Sequence, residues 1–497
     1  MNLLFTGTNN RKNNNYLLKR LQSKYNKNFL SDDGVEKIMQ PMSYEIPKWL
    51  NLHPYQRQAI TSWEENDYKG LFEMATGTGK TLTALSAANR LFNNKKRLAI
   101  IIVCPLIDLV DQWAKNAVEF GLQPIRIYQN RSQWFDLTSS EITQYNIGNQ
   151  DVLCFITTMQ TLKMSKDVQL QLKRLSTESL IIVDEAHNIG TSRSINSLPN
   201  HFKYRLALSA TPRRWNDDEG TEAIFSYFGG EPIFKYELSD AIQAGYLTPY
   251  YYHPHIVVLN ENEREEYMIL SRKIAKLFAA QGDENKNEYL EQLLIKRARL
   301  VNSAENKEEL LEKLLKEQKD AGELRHTIVY CGDQKKEGER QVDRLIQMMG
   351  KRLGIYSSSY TSQEDNKQRR ELLNQFDNGE IETLVAIRCL DEGVDIPNTR
   401  TAYILASSSN PKEFIQRRGR VLRKAKGKEF AILHDFIVIS QEISDTNQLS
   451  DTDFNIERGL LEKELKRVQE FASLAINGPK ASQSLLELKN LYNLQHL

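Results

Sequence analysis

Short apolar runs recur along this chain between longer stretches of helical patterning, and the rhythm occurs twice. Over residues 46–235 the runs are RLAIIIVCP, DVLCFITT, SLIIVDEAH and RLALSAT; over 322–445 they are HTIVYCGD, RLGIYSS, ETLVAIRCL, TAYILAS and EFAILHDF. Runs apolar at successive positions, instead of alternating, belong to strands buried on both faces, and the helices between them are the crossovers of a parallel sheet. The expected fold is therefore α/β, with two tandem parallel-sheet domains at 46–235 and 322–445. Between them, 236–321 reads as a connector with a helical insertion, because 285–320 is rich in Glu, Lys and Leu, with Leu311, Leu314 and Leu315 at helical spacing. The composition returns beyond 446, so 446–497 reads as a helical tail on the second domain. Residues 1–45 match no pattern.

A chain of 497 residues has room for several cores. Its 40% hydrophobic and 26% charged residues are ordinary for a globular protein. No stretch approaches the roughly 20 apolar residues of a membrane span, and the asparagine-rich start is no secretory signal. The expected address is cytoplasmic, with no membrane partner. Cys104, Cys154, Cys331 and Cys389 lie far apart in or beside apolar runs, as buried thiols do. A net charge of +1 selects no partner.

The stretch MATGTGKT, residues 74–81, carries the chemistry. The phosphate-loop pattern G-x-x-x-x-G-K-[ST] asks for Gly where Met74 stands, so the strict match fails. The part that touches phosphate is intact. Thr76, Gly77, Thr78 and Gly79 offer backbone N–H groups to an anion, Lys80 can reach the outer phosphates, and Thr81 can ligate Mg²⁺ at a helix start. About a hundred residues on, LIIVDEAH sets Asp184 and Glu185 at the carboxyl end of a strand. There Asp184 can hold Mg²⁺ and Glu185 can orient or deprotonate the attacking water. Each motif has a bland alternative, a flexible turn or an acidic strand end, but together they form complementary halves of one magnesium-phosphate site.

With these residues in hand, the chain resembles the superfamily 2 helicases and translocases over about residues 50–440. LHPYQRQAI resembles the glutamine motif, which would place Gln56 on the adenine; His53 stands where many relatives have arginine. MATGTGKT resembles motif I, VCPLIDLVDQW motif Ia, TTMQTL a strand-tracking motif, VDEAH motif II and SAT motif III. TIVYCGD resembles motif IV, AIRCLDEGVDIP motif V and QRRGRVLR motif VI. The forms LDEGVDIP and QRRGRVLR are most similar to the branch of excision-repair helicases and restriction or phage-defence motors.

The resemblance implies two RecA-like domains and an ATPase, with ATP and Mg²⁺ as cofactors and hydrolysis in an inter-domain cleft coupled to movement along a strand. By position it assigns catalysis to Lys80, Asp184, Glu185, Gln416, Arg420 and Arg423. Gly393 and Asp395 fall at the nucleotide, and His187, Ser209 and Thr211 couple phosphate state to strand grip. Nucleic-acid contacts fall to Pro105, Leu106, Thr157 and Thr158. The expected partner is DNA, with protein partners for loading or nuclease activity. An ATP-switched clamp without processive movement and an RNA helicase are the alternatives.

Overall fold

The computed structural model describes residues 44–215, 217–279, 284–336, 338–361, 364–387, 396–406, 411–441 and 450–497. The chain divides into two compact units. One holds the described residues through Glu73 with Gly79–Lys235; the other holds Met74–Thr78 and Tyr236–Leu497.

In the first unit, strands β1 (Lys69–Met74), β2 (Leu98–Cys104), β3 (Ile125–Ile127), β4 (Val152–Thr158), β5 (Ser179–Val183), β6 (Tyr204–Ser209) and β7 (Phe234–Tyr236) lie in the order β3-β4-β2-β5-β6-β1-β7. The pairings from β1 through β6 are parallel. Every residue of β2, β4 and β5 is buried, which explains their unbroken apolar runs. Helices α1 (Pro54–Glu65), α2 (Lys80–Lys95) and α3 (Ile107–Glu119) include crossovers packed on this sheet. Strand β6 lies between β1 and β5, so the ends of three strands bring the loop after β1, the carboxylates after β5 and Ser209 of β6 to one sheet edge.

In the second unit, β8 (Tyr250–Val258), β9 (Thr327–Tyr330), β12 (Ser357–Tyr360), β13 (Thr383–Ala386), β14 (Thr401–Ile404) and β15 (Ala431–Ile439) form a parallel sheet in the order β12-β13-β9-β14-β15-β8. A two-residue ladder, β10 (Lys335–Lys336) with β11 (Glu339–Arg340), stands apart. Strand β8 lies inside 236–321 and pairs with β15 over nine residues, from Tyr250 opposite Ala431 to Val258 opposite Ile439. Its sequence, YYYHPHIVV, carries a proline that only an edge strand tolerates. Helix α4 (Asn306–Asp320) covers one face with Leu311 and Leu315. Helix α5 (Pro411–Val421) leads into strand β15, and the tail beyond β15 carries helix α6 (Asp451–Ala472), whose Leu461, Leu465, Val468 and Phe471 join the core of this unit. Past α6 the chain clips onto β8: Ile476 N–H donates to Tyr250 O at 2.9 Å, and the Asn477 amide bonds Tyr252 N–H and O at 2.8 and 2.9 Å. Three otherwise open edge groups are thereby satisfied.

Among the described residues, no helix is long and apolar enough to cross a membrane. Cys104, Cys154 and Cys331 are buried free thiols, and burial pushes Cys154 and Cys331 up to about 12. Cys389 and the motif V candidates Gly393 and Asp395 lie outside the described residues.

Candidate nucleotide site

Strand β1 ends at Met74, and the loop after it turns through two left-handed glycines, Gly77 at φ +89° and Gly79 at φ +78°. Thr78 closes the turn, its hydroxyl donating to Ala75 O at 2.7 Å. Helix α2 then starts at Lys80, with Thr81 in its first turn, so the backbone amides of a helix N-terminus face the loop. A side chain at Gly79 would be strained by its positive φ, and a Cβ there would fall 2.7 Å from Gln56 Nε2. That contact puts Gln56, buried in the first turn of α1 with its carbonyl oxygen accepting from His53 N–H at 2.9 Å, beside the loop.

From Lys80 a chain of contacts runs through motif II into motif III. Lys80 Nζ lies 3.8 Å from Glu185 Oε1. Glu185 Oε2 lies 3.5 Å from His187 Nδ1, which shares a hydrogen bond of 3.0 Å with the Ser209 hydroxyl. Ser209 Oγ also accepts from Thr211 N–H at 3.1 Å. Glu185 is a non-glycine residue at φ +46°, a conformation costing on the order of 1–3 kcal/mol and concentrated at functional sites. Beside it, Asp184 is buried. Burial, then the negative charge of Glu185, pushes its carboxyl up to about 6, against the pull of the Trp113 N–H and of Lys80. Trp113 Nε1 donates to Asp184 Oδ2 at 2.8 Å, and Glu185 N–H donates to Oδ1 at 3.0 Å. The helical spacing of Val110, Trp113, Ala114 and Ala117 marks Trp113 as buried, but nothing in its spacing names an aspartate 71 residues away. Arg214 was equally invisible: its guanidinium donates to His187 O and, at 2.6 Å, to Asp217.

The residues assigned to nucleic acid fare differently. Leu106 is 44% exposed just ahead of α3, and Pro105 is partly exposed. Thr157 and Thr158 are buried with engaged hydroxyls: Thr157 donates to Ile127 O at 2.7 Å across to β3, and Thr158 caps the next helix by accepting from Thr161 N–H at 3.1 Å.

In the second unit, α5 carries motif VI, with Gln416, Arg417, Arg418 and Arg420 all buried. Arg417 donates to Ala406 O at 2.6 Å and Arg418 to the tail, so two of these arginines hold the helix in place. Within this unit Gly77 lies against Arg423, a Cβ there falling 3.3 Å from Arg423 Cγ, and a Cβ on Gly419 would fall 2.8 Å from Thr76 Cβ.

These residues fit a magnesium-bound triphosphate. The Thr76 hydroxyl is buried with no hydrogen-bond partner among the described residues, beside two glycines that leave the backbone open. No group of three or more His, Cys, Asp or Glu side chains able to hold a metal occurs among the described residues. One carboxylate and one hydroxyl suit Mg²⁺, which takes its remaining ligands from phosphate and water.

Comparisons agree with this chemistry. Residues 49–214 match the family model of the type III restriction enzyme res subunit, and 306–425 match the helicase conserved C-terminal domain. The chain is 25% identical over 412 residues to DNA 3'-5' translocase XPB2 of Sulfurisphaera tokodaii, covering 80% of this chain and 84% of that one. It is 26% identical over 397 residues to the putative DNA 3'-5' helicase Rad25 of Haloarcula marismortui, covering 78% of this chain but only 53% of that longer protein. In fold it is similar to the type ISP restriction-modification enzyme LlaBIII bound to DNA, at a TM-score of 0.56 and 17% identity over 84% of this chain and 30% of that one. The Pyrococcus furiosus Hef helicase domain is similar at a TM-score of 0.50 and 17% identity, over 78% and 95%. With two tandem RecA-like domains and the res-subunit and helicase C-terminal models matched in order, the chain belongs to the superfamily 2 helicases, is related to XPB and the restriction-enzyme motors, and is an ATP-hydrolysing enzyme.

Proposed function

We propose that the chain is a DNA translocase or helicase whose ATP site is built by the loop at 74–81 with Asp184 and Glu185, and whose motor domains are 46–235 and 322–445, the second completed by edge strand β8 (Tyr250–Val258). The observation that carries this is the path from Lys80 through Glu185 and His187 to Ser209. It joins the lysine of the loop to the end of strand β6.

In this reading Gln56 recognises adenine, Lys80 holds the outer phosphates, and Thr81 with Asp184 holds Mg²⁺. The ion, when bound, neutralises the charge of the β- and γ-phosphates. Trp113 keeps the Asp184 carboxylate oriented, and the strained backbone at Glu185 aims its carboxylate at water. Arg420 and Arg423, with Gln416, are assigned to the charge that develops on the γ-phosphate. His187, Ser209 and Thr211 report that charge to the surfaces that grip DNA, to which Pro105 and Leu106 contribute. The engaged hydroxyls of Thr157 and Thr158 leave those two residues to shape the strand end. DNA is the proposed substrate because the XPB2 and Rad25 relatives are named for DNA, and their stated 3'-5' direction is the one to test first. Work in the cytoplasm, with protein partners that load the motor, completes the reading.

Steady-state phosphate release with duplex DNA, single-stranded DNA and RNA tests it. Stimulation by DNA and its loss in Lys80→Ala are expected; RNA as the better activator would reject the substrate. Displacement of a third strand by ATP separates movement from a switched clamp, which would bind without releasing it.

A further inference from the structure

The motif VI helix is bolted to the C-terminal tail by a residue that the motif leaves undefined. Arg418 is 1% exposed. Its guanidinium donates to Glu470 O at 2.7 Å, to Glu470 Oε1 at 2.6 Å and to the Tyr250 hydroxyl at 3.2 Å, and it lies 5.2 Å from the Phe471 ring. Glu470 and Phe471 belong to the last turn of α6, where exposed carbonyls favour a cation. Tyr250 is itself fixed, its hydroxyl donating to Phe471 O at 2.5 Å. One buried arginine therefore joins α5, the edge strand β8 and the tail.

Position on the helix gives this bolt its meaning. Two residues apart is about 200° around an α-helix, so pinning Arg418 to the tail turns Arg420 to the opposite side. Arg417 is pinned separately, by Ala406 O and by the Tyr330 ring 5.2 Å away. Rotation of α5 is thus restrained from two directions, neither of them through Arg420.

We propose that Arg418 is a positioning residue for ATP hydrolysis, and that the tail helix α6, through Glu470, sets the angle at which α5 presents Arg420. This rests on the assignment of Arg420 made above. A displacement near 1 Å costs on the order of 10²-fold in rate, so loosening α5 falls on turnover.

The test uses the full chain with Arg418→Met, which keeps the buried bulk, Arg418→Lys, which keeps one donor, and Glu470→Gln. Turnover with DNA is measured against ATP concentration, alongside hydrogen exchange of the α5 amides. For Arg418→Met the expected result is a kcat reduced by about 10- to 100-fold, a KM for ATP that changes far less than kcat, and faster exchange across Pro411–Val421 with β9 and β14 unaltered. Arg418→Lys should recover part of both. Unchanged α5 exchange, or a kcat loss that merely follows the folded fraction, overturns the proposal. A wild-type chain without DNA-stimulated turnover would instead reject the functional reading, and the exchange measurement would still decide whether the tail holds α5.

Discussion

Replacing Arg467 with alanine should unfold the second unit at far lower denaturant concentration than the wild type. Arg467 is buried on α6 between two carboxylates. It donates to Asp435 through Nε at 2.8 Å and Nη2 at 3.1 Å, and to Glu464 through Nη1 at 3.0 Å and Nη2 at 2.9 Å. Asp435, fully buried on β15, also accepts from the Tyr252 hydroxyl at 2.9 Å, and Glu464 accepts from Val438 N–H at 3.2 Å. Buried Lys307, which donates to Leu405 O at 2.6 Å, supplies the second positive charge. Alanine leaves two buried carboxylates facing one lysine. Breaking a buried pair from one side costs about 3–5 kcal/mol, because the stranded charge keeps its desolvation penalty.

With a slope of roughly 2–3 kcal/mol/M, that cost moves the urea midpoint by about 1–2 M, read by circular dichroism. Acidity supplies a second readout. Burial alone would raise the Glu464 carboxyl, but Arg467, and Lys307 behind it, hold it below its usual range. A depressed carboxylate contributes stability above its unfolded pKa, near 4.3, and loses it as pH falls through the folded value. Without Arg467 burial dominates and raises that pKa, so the variant's deficit should be full at pH 7 and should shrink below about pH 4. Adding Asp435→Asn should restore much of the loss by removing one stranded charge and leaving Glu464 facing Lys307. A deficit under about 1 kcal/mol, the range of exposed pairs, would refute the buried network.

Other substitutions probe the nucleotide site. Gly79→Ala should abolish tight nucleotide binding, because its φ of +78° disfavours a side chain by roughly 1–2 kcal/mol and the methyl would meet Gln56; a nucleotide titration by fluorescence reads it. Trp113→Phe removes the donor to Asp184, so Mg²⁺ affinity should fall about 10-fold in a magnesium titration of turnover, as losing a partner behind a metal ligand does. Glu185→Gln should keep ATP binding and reduce hydrolysis by about 10²- to 10⁴-fold in single-turnover measurements. His187→Ala should retain basal hydrolysis while stimulation by DNA disappears, since it cuts the link to Ser209.

Much of the candidate site was legible because the chemistry proposed for it is local. A phosphate cradle needs glycines, a lysine and a hydroxyl on consecutive residues, and the carboxylates must follow directly on a buried strand; the loop at 74–81 and Asp184–Glu185 show both. Thr157 and Thr158 mark where that reading thins. A threonine at a strand end serves a phosphate or a neighbouring carbonyl equally well, and here Ile127 O and Thr161 N–H take the hydroxyls.

The sequence by itself determined the two parallel sheets, the helical tail and the order of the motifs, because burial on both faces writes itself as apolar runs, clearest in β2 and β5. Tertiary structure alone decided that YYYHPHIVV, with its proline, joins the second sheet as an edge strand. It alone decided which partners meet: Trp113 with Asp184, Arg467 with Asp435, and Arg418 with Glu470 are 71, 32 and 52 residues apart. Local patterning reports whether a side chain is buried. Which polar group satisfies it there depends on which elements pack together, and that is settled only when the whole chain has folded.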